Sequence, residues 1–145
     1  MTARRSLSVV AGISLVYDLG TGLVLLVATE RLAVWFGAQI PQPLLFAKLD
    51  ALFLIAIGVG YVQPLRDPAA HRAYLWVFGP LLKGGGAVTF LIDHYVSGSP
   101  TSFLVFAASD AVLAVVTLVA LLRPDDRPTD RASAQTASTA GIPPR

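Results

Sequence analysis

Asp18, Lys48, Asp50, Lys83 and Asp110 stand inside stretches that otherwise belong in hydrocarbon. An ionisable group near the middle of a bilayer costs at least about 2.5–3.5 kcal/mol, so it normally faces the interior of a helix bundle or water and has a partner. Asp18, Asp50, Lys83 and Asp110 together form an intramembrane polar cluster of three acids around one central lysine. Such a set either fixes the register of packed helices or binds a proton or small polar solute. With every member ionised the set is net negative, so one acid is expected to hold a proton. Lys48, Tyr17 and Tyr61 fall at its rim.

Other chemistries find little support. The chain has no Cys, which removes disulfides, thiolate metal sites and a cysteine nucleophile. Two histidines, His71 and His94, are too few for a His-rich metal site, and no metal is expected. No nucleophile elbow, phosphate loop or two-histidine metal motif appears. Lys83 followed by three glycines reverses the order of a phosphate cradle and lacks its Ser/Thr partner. The isoelectric point near 9.3 accompanies a net charge of only +2, and arginines beside apolar segments point to membrane topology rather than nucleic acid.

The elements that must position these charges follow from composition. Of 145 residues, 54% are hydrophobic and 14% charged, against about 25% charged in a soluble domain. Four segments approach the roughly 20 apolar residues that cross a bilayer as a helix. They are residues 7–28, 44–63, 74–92 and 103–122, so residues 1–122 read as one all-α integral membrane domain, an antiparallel bundle of four transmembrane helices. The first segment has too long an apolar stretch for a secretory signal, and no small-residue cleavage site follows it. The tail, residues 123–145, is rich in Pro, Ser, Thr and Ala with almost nothing to bury, and is expected to be disordered.

Arg4, Arg5, Arg66, Arg72, Arg123, Arg127 and Arg131 all fall on one side of a four-span topology, and Arg31 on the other. The positive-inside rule then puts both termini in the cytoplasm. The connection TERLAVWFGAQIPQP carries Trp35 and Phe36 among charges and prolines, and is expected at the outer membrane boundary. At about 1.5 Å per residue, Asp18 and Lys83 lie roughly 18 and 14 Å from the cytoplasmic face, and Asp50 and Asp110 roughly 10 Å from the outer one. A common layer is within reach of all four side chains.

Helical spacing supports that layer. Leu7, Ala11, Ser14, Asp18, Thr21 and Leu25 form one stripe; Phe103, Ala107, Asp110, Ala114, Thr117 and Leu121 form another. Both follow the three-and-four spacing of a packed seam, with small or hydroxylated neighbours around the acid. In the third span Gly79 and Gly86 lie one turn either side of Lys83, where they would let a neighbouring backbone approach while the lysine reaches a carboxylate. Pro80 and Gly84-Gly85-Gly86 weaken this helix. They predict either a kink at Pro80 or a helix broken near Lys83. FAKLDAL at 46–52 and FAASDAV at 106–112 share Phe-Ala and Asp-Ala at the same spacing, an echo consistent with two repeated hairpins.

The order LDALFLIAIGVGYVQPLRDP, a third span with LLKGGG, and ASDAVLAVVTLVALLRP resembles the small four-span bacterial membrane proteins grouped as DoxX-like. The resemblance covers roughly residues 7–122 and implies a four-helix bundle in a bacterial inner membrane. Some members of that group are subunits of quinone-linked oxidoreductases; the resemblance identifies no catalytic residue here. Three readings are open: a structural or accessory protein acting with a partner or as a homo-oligomer, a proton-linked carrier or ion-conducting oligomer, and a quinone-linked redox subunit. The first has no cofactor and is no enzyme; only the third brings quinone.

Overall fold

The computed structural model describes residues 3–123. Regular structure among them is wholly helical. Four helices are long and apolar enough to cross a membrane, over Arg4–Trp35, Leu44–Arg66, Arg72–Ser97 and Thr101–Leu122. The expected disordered tail, with Arg127 and Arg131, lies beyond Arg123 and outside the described residues.

The first helix, α1 (Ala3–Trp35), runs past the expected end of its span into the connection. Nothing between Thr29 and Trp35 is a helix breaker, so the chain stays helical until Gly37, whose φ of 66° supplies the left-handed end. Ala38 N–H reaches Ala33 O at 2.8 Å and Gly37 N–H reaches Val34 O at 3.1 Å, the paired bonds of a Schellman cap. The helix is not straight. Ala28 leaves helical geometry (φ −133°, ψ 29°), and the Thr29 hydroxyl donates to Leu25 O beside it. Such back-bonding bends helices. At 32 residues, about 48 Å of helix against about 30 Å of hydrocarbon, the apolar helix is longer than a straight crossing needs.

The second span joins α2 (Leu44–Gly60) to the short α3 (Val62–Arg66) at Tyr61. The third comprises α4 (Arg72–Trp76), a π-helical turn over Val77–Leu81, α5 (Leu82–Ile92) and a second π turn over Asp93–Ser97. Pro80 sits within the first wide turn, which absorbs a residue with no N–H to give. The helix then continues through Gly84-Gly85-Gly86, so it is not broken at Lys83. A 3₁₀ turn over Thr101–Phe103 leads into α6 (Leu104–Leu122).

Packing is organised around α1, which lies along α2 and also meets α3 and α6. On the far side α5 and the π turn before it pack against α6. Small residues make the approach close. A Cβ on Gly58 would stand 2.8 Å from Leu19 N, and one on Gly22 would stand 2.9 Å from Ala51 O, so only glycine fits at this α1–α2 seam. One end of the bundle is filled by Leu7, Ala11, Tyr61, Leu75, Ala120 and Leu121. The other is filled by Phe36, Phe90, Phe103 and Phe106, whose ring centroids are 5.1–6.4 Å apart. Outward faces carry exposed Val16, Phe53, Leu81 and Val112, as a helix surrounded by lipid does.

Candidate functional site

Both expected stripes face inward. Leu7, Ala11, Ser14 and Asp18 are buried on α1, and Ala107, Ala114, Thr117 and Leu121 on α6. Lys83, the second residue of α5, is buried between them at 4% exposure. Its ammonium donates to Asp18 Oδ1 at 2.6 Å and stands 3.9 Å from Asp110 Oδ1. One cation thereby joins carboxylates from two other spans. The shorter distance makes Asp18 the hydrogen-bonded partner, and Asp110 an ion-pair neighbour.

Glycines set this geometry. A Cβ on Gly79 would be 2.5 Å from Thr117 Cγ2, and one on Gly86 would be 3.0 Å from Asp110 Oδ2. Both lie on the face of the third span that meets α6, one turn to either side of Lys83. Without side chains there, the third span closes on α6 around Lys83, whose ammonium reaches Asp18 on α1. Gly84 only touches Ala114, and Gly85 faces open space. The three consecutive glycines therefore do different things: the last makes room for the acid, and the middle one makes room for nothing in this chain.

Tyr17 is closer to the chemistry than a rim position. Lys83 Nζ sits 4.7 Å from its ring centroid, so the ammonium is held by a π face as well as by carboxylates. The Tyr17 hydroxyl is 2.8 Å from Ser109 Oγ, and Ser109 donates to Phe106 O at 3.1 Å, which leaves Tyr17 as donor to Ser109. Tyr61 is fully buried at the junction of α2 and α3, with its hydroxyl near Ser14 and the Asp18 carboxylate. Its ring packs edge-on against Tyr74 at 5.1 Å, and Tyr74 donates to Ile57 O at 2.6 Å.

The remaining predicted members are elsewhere. Asp50 is exposed on α2, away from the Lys83 group, and Lys48 is exposed two residues nearer the start of the same helix. Spacing explains the difference. The α2 face that meets α1 carries Ala51 and Gly58, and Asp50 lies about 100° around the helix from Ala51. The sequence echo thus pairs an exposed acid, Asp50, with Asp110, whose side chain is only 16% exposed. The observed cluster is Asp18, Lys83 and Asp110.

Ser109, Tyr74 and Ser14 were not among the expected site residues. Ser14 had a signal, since it precedes Asp18 by one turn on the same stripe. Tyr74 had none, since the close fit of its hydroxyl against Gly60 exists only in the folded bundle. Ser109 had none beyond adjacency to Asp110.

Several buried polar atoms have no hydrogen-bond partner among the described residues: Ser14 Oγ, Asp18 Oδ2, Tyr61 Oη and Asp110 Oδ1. Away from this layer, a mainly apolar cleft of about 610 Å³ lies near the other end of α1, lined by residues that include Leu25, Leu32, Phe36 and Phe103. No protein-family model, curated protein or solved structure matches the chain, so the likeness to DoxX-like proteins rests on span lengths and single charges, and no family is identified.

Proposed function

We propose that this is a small multi-pass membrane protein of structural or accessory type, which works by holding a partner in the membrane. The observation that carries this reading is Asp50. It is exposed six residues, about 9 Å, into the second span, on a helix that packs chiefly against α1 and leaves its other faces to lipid. A carboxylate so placed costs about 2.5–3.5 kcal/mol if lipid surrounds it. Its side chain is too short to reach water. Lys48, with a four-carbon stem and nearer the helix start, reaches the boundary by snorkelling. A cationic or hydrogen-bonding group on a neighbouring transmembrane helix relieves the cost at Asp50, and the Lys83 clasp supplies a rigid scaffold on which to present it.

The membrane orientation belongs to the same proposal, with both termini in the cytoplasm. In its support, Arg4 pairs with Asp67 at 3.5 Å, Arg72 donates to Leu121 O at 2.7 Å, and Arg123 donates to Ser6 Oγ at 3.4 Å, which gathers the arginines at one end of the bundle.

The test is photo-cross-linking in native membranes from probes at Leu49 and Phe53, exposed residues beside Asp50. A discrete adduct with one membrane protein or a second copy, lost in Asp50→Asn, is the expected result. Only lipid adducts, unchanged by that substitution, would sink the accessory reading.

A further inference from the structure

We propose that the Lys83 site binds one exchangeable proton, held together with internal water on the Asp18–Asp110 carboxylate pair. The first ground is charge. Lys83 lies 2.6 Å from one acid and 3.9 Å from the other, so both carboxylates share a single cation. The charged and titratable groups facing the pair are Tyr17 on α1, Tyr61 between α2 and α3, Tyr74 and Lys83 on the third span, and the acids themselves. None of the tyrosines is a cation. Lys48 is exposed, and Arg72 and Arg123 bond at the end of the bundle. With both acids ionised, this largely buried layer would therefore hold an unbalanced negative charge, which uptake of one proton removes.

The second ground is independent of charge. Asp18 Oδ2 and Asp110 Oδ1 are acceptors without donors, and the Ser14 and Tyr61 hydroxyls, which face each other beside Asp18, complete no hydrogen bond of normal geometry, although Ser14, Asp18 and Tyr61 are each at most 2% exposed. Buried polar atoms in this number are satisfied by something, and one proton with one or two waters suits their chemistry. The proton forms an O–H bond to one carboxylate, turning an acceptor into a donor, and the charge of the three-residue set rises from −1 to zero. The proton leaves a hydronium ion of the solvent, whose O–H bond breaks to give water, and no bond within the protein is broken. Water bridges the remaining oxygens to Ser14 and Tyr61.

The bundle also separates this layer from both ends. Phe106 is one turn from Asp110, and with Phe36, Phe90 and Phe103 it closes one side. Leu7, Ala11, Leu75, Ala120 and Leu121 close the other. Between these closures the Asp110 side chain keeps 16% exposure, which leaves the pair a route for proton exchange.

The experiment is infrared spectroscopy of the full chain in lipid nanodiscs at pH 7, well above the ordinary carboxyl range, with and without deuterium oxide, in the wild type and in an Asp50→Asn background that removes the lipid-facing carboxyl. The expected result is a protonated-carboxyl band corresponding to one group per chain, shifted by ¹³C-aspartate labelling and by deuterium oxide. It persists in Asp50→Asn and disappears in Asp50→Asn/Asp110→Asn or Asp50→Asn/Asp18→Asn. Tyr61→Phe moves its frequency, because a hydrogen-bonded water loses its anchor. Absence of the band in Asp50→Asn at pH 7 would overturn the proposal. So would a band that sodium ions abolish at constant pH, which would make the ligand a small cation. If the Asp18 or Asp110 variants do not fold, the isotope-shifted band in Asp50→Asn and its response to Tyr61→Phe still decide the matter.

Discussion

The contacts of Lys83 predict an unequal division of coupling energy between its two acids. At an effective dielectric constant of 20, an ion pair at 2.6 Å is worth about 6 kcal/mol of gross Coulomb attraction and one at 3.9 Å about 4 kcal/mol. Desolvation offsets most of both, but the difference of about 2 kcal/mol survives because both pairs share the same ammonium. The hydrogen bond to Asp18 adds to that difference. Lys83→Met leaves the remaining negative charge of the acid pair without its cation and should lower stability by about 3–5 kcal/mol. At about 4 °C per kcal/mol for a chain of this size, that is a fall of roughly 12–20 °C in Tm. Double-mutant cycles, read by thermal unfolding in nanodiscs, should give a larger coupling for Lys83→Met with Asp18→Asn than with Asp110→Asn. The triple variant should recover most of the loss, since a neutral polar layer has no stranded charge. Equal couplings, or a larger one for Asp110, would refute the assignment of Asp18 as the primary partner. Little change in Lys83→Met would refute the clasp altogether.

Gly79→Ala places a methyl group 2.5 Å from Thr117 Cγ2 and should destabilise by about 1–3 kcal/mol, whereas Gly85→Ala meets nothing and should stabilise by up to about 1 kcal/mol through helix propensity. The two Tm shifts should have opposite signs. Tyr17→Phe removes the 2.8 Å bond to Ser109 while keeping the ring under Lys83, so a loss of about 1 kcal/mol is expected, well short of Tyr17→Leu, which also removes the cation–π contact. Asp50→Asn should leave the unfolding temperature of the isolated bundle unchanged or raised, because no partner within the described residues is lost. A clear fall in that temperature would mean that Asp50 is tied into the fold.

Much of this arrangement is local, and local patterns are legible in a sequence. Four apolar stretches predict four helices because a bilayer leaves a backbone few other ways to satisfy its hydrogen bonds. The stripes around Asp18 and Asp110 predict buried faces because helical spacing places residues three and four apart on one side. The glycines flanking Lys83 predict a close helix contact because nothing else in a span removes so much volume. These needed no coordinates.

What the tertiary structure decided is which faces meet. Depth alone put Asp50 in the same layer as Lys83, but depth says nothing about angle around a helix, and α2 turns Ala51 and Gly58 toward α1 while Asp50 is left outside. The same rotational freedom hid the choice of Asp18 over Asp110 as the nearer acid, and the place of Tyr17 beneath the ammonium. Pro80 and the glycine run weakened the helix on paper. Packing against α6 holds it continuous, with a π turn taking up the proline. Sequence fixes what each helix offers on each side; only the assembled bundle determines which side a neighbour takes.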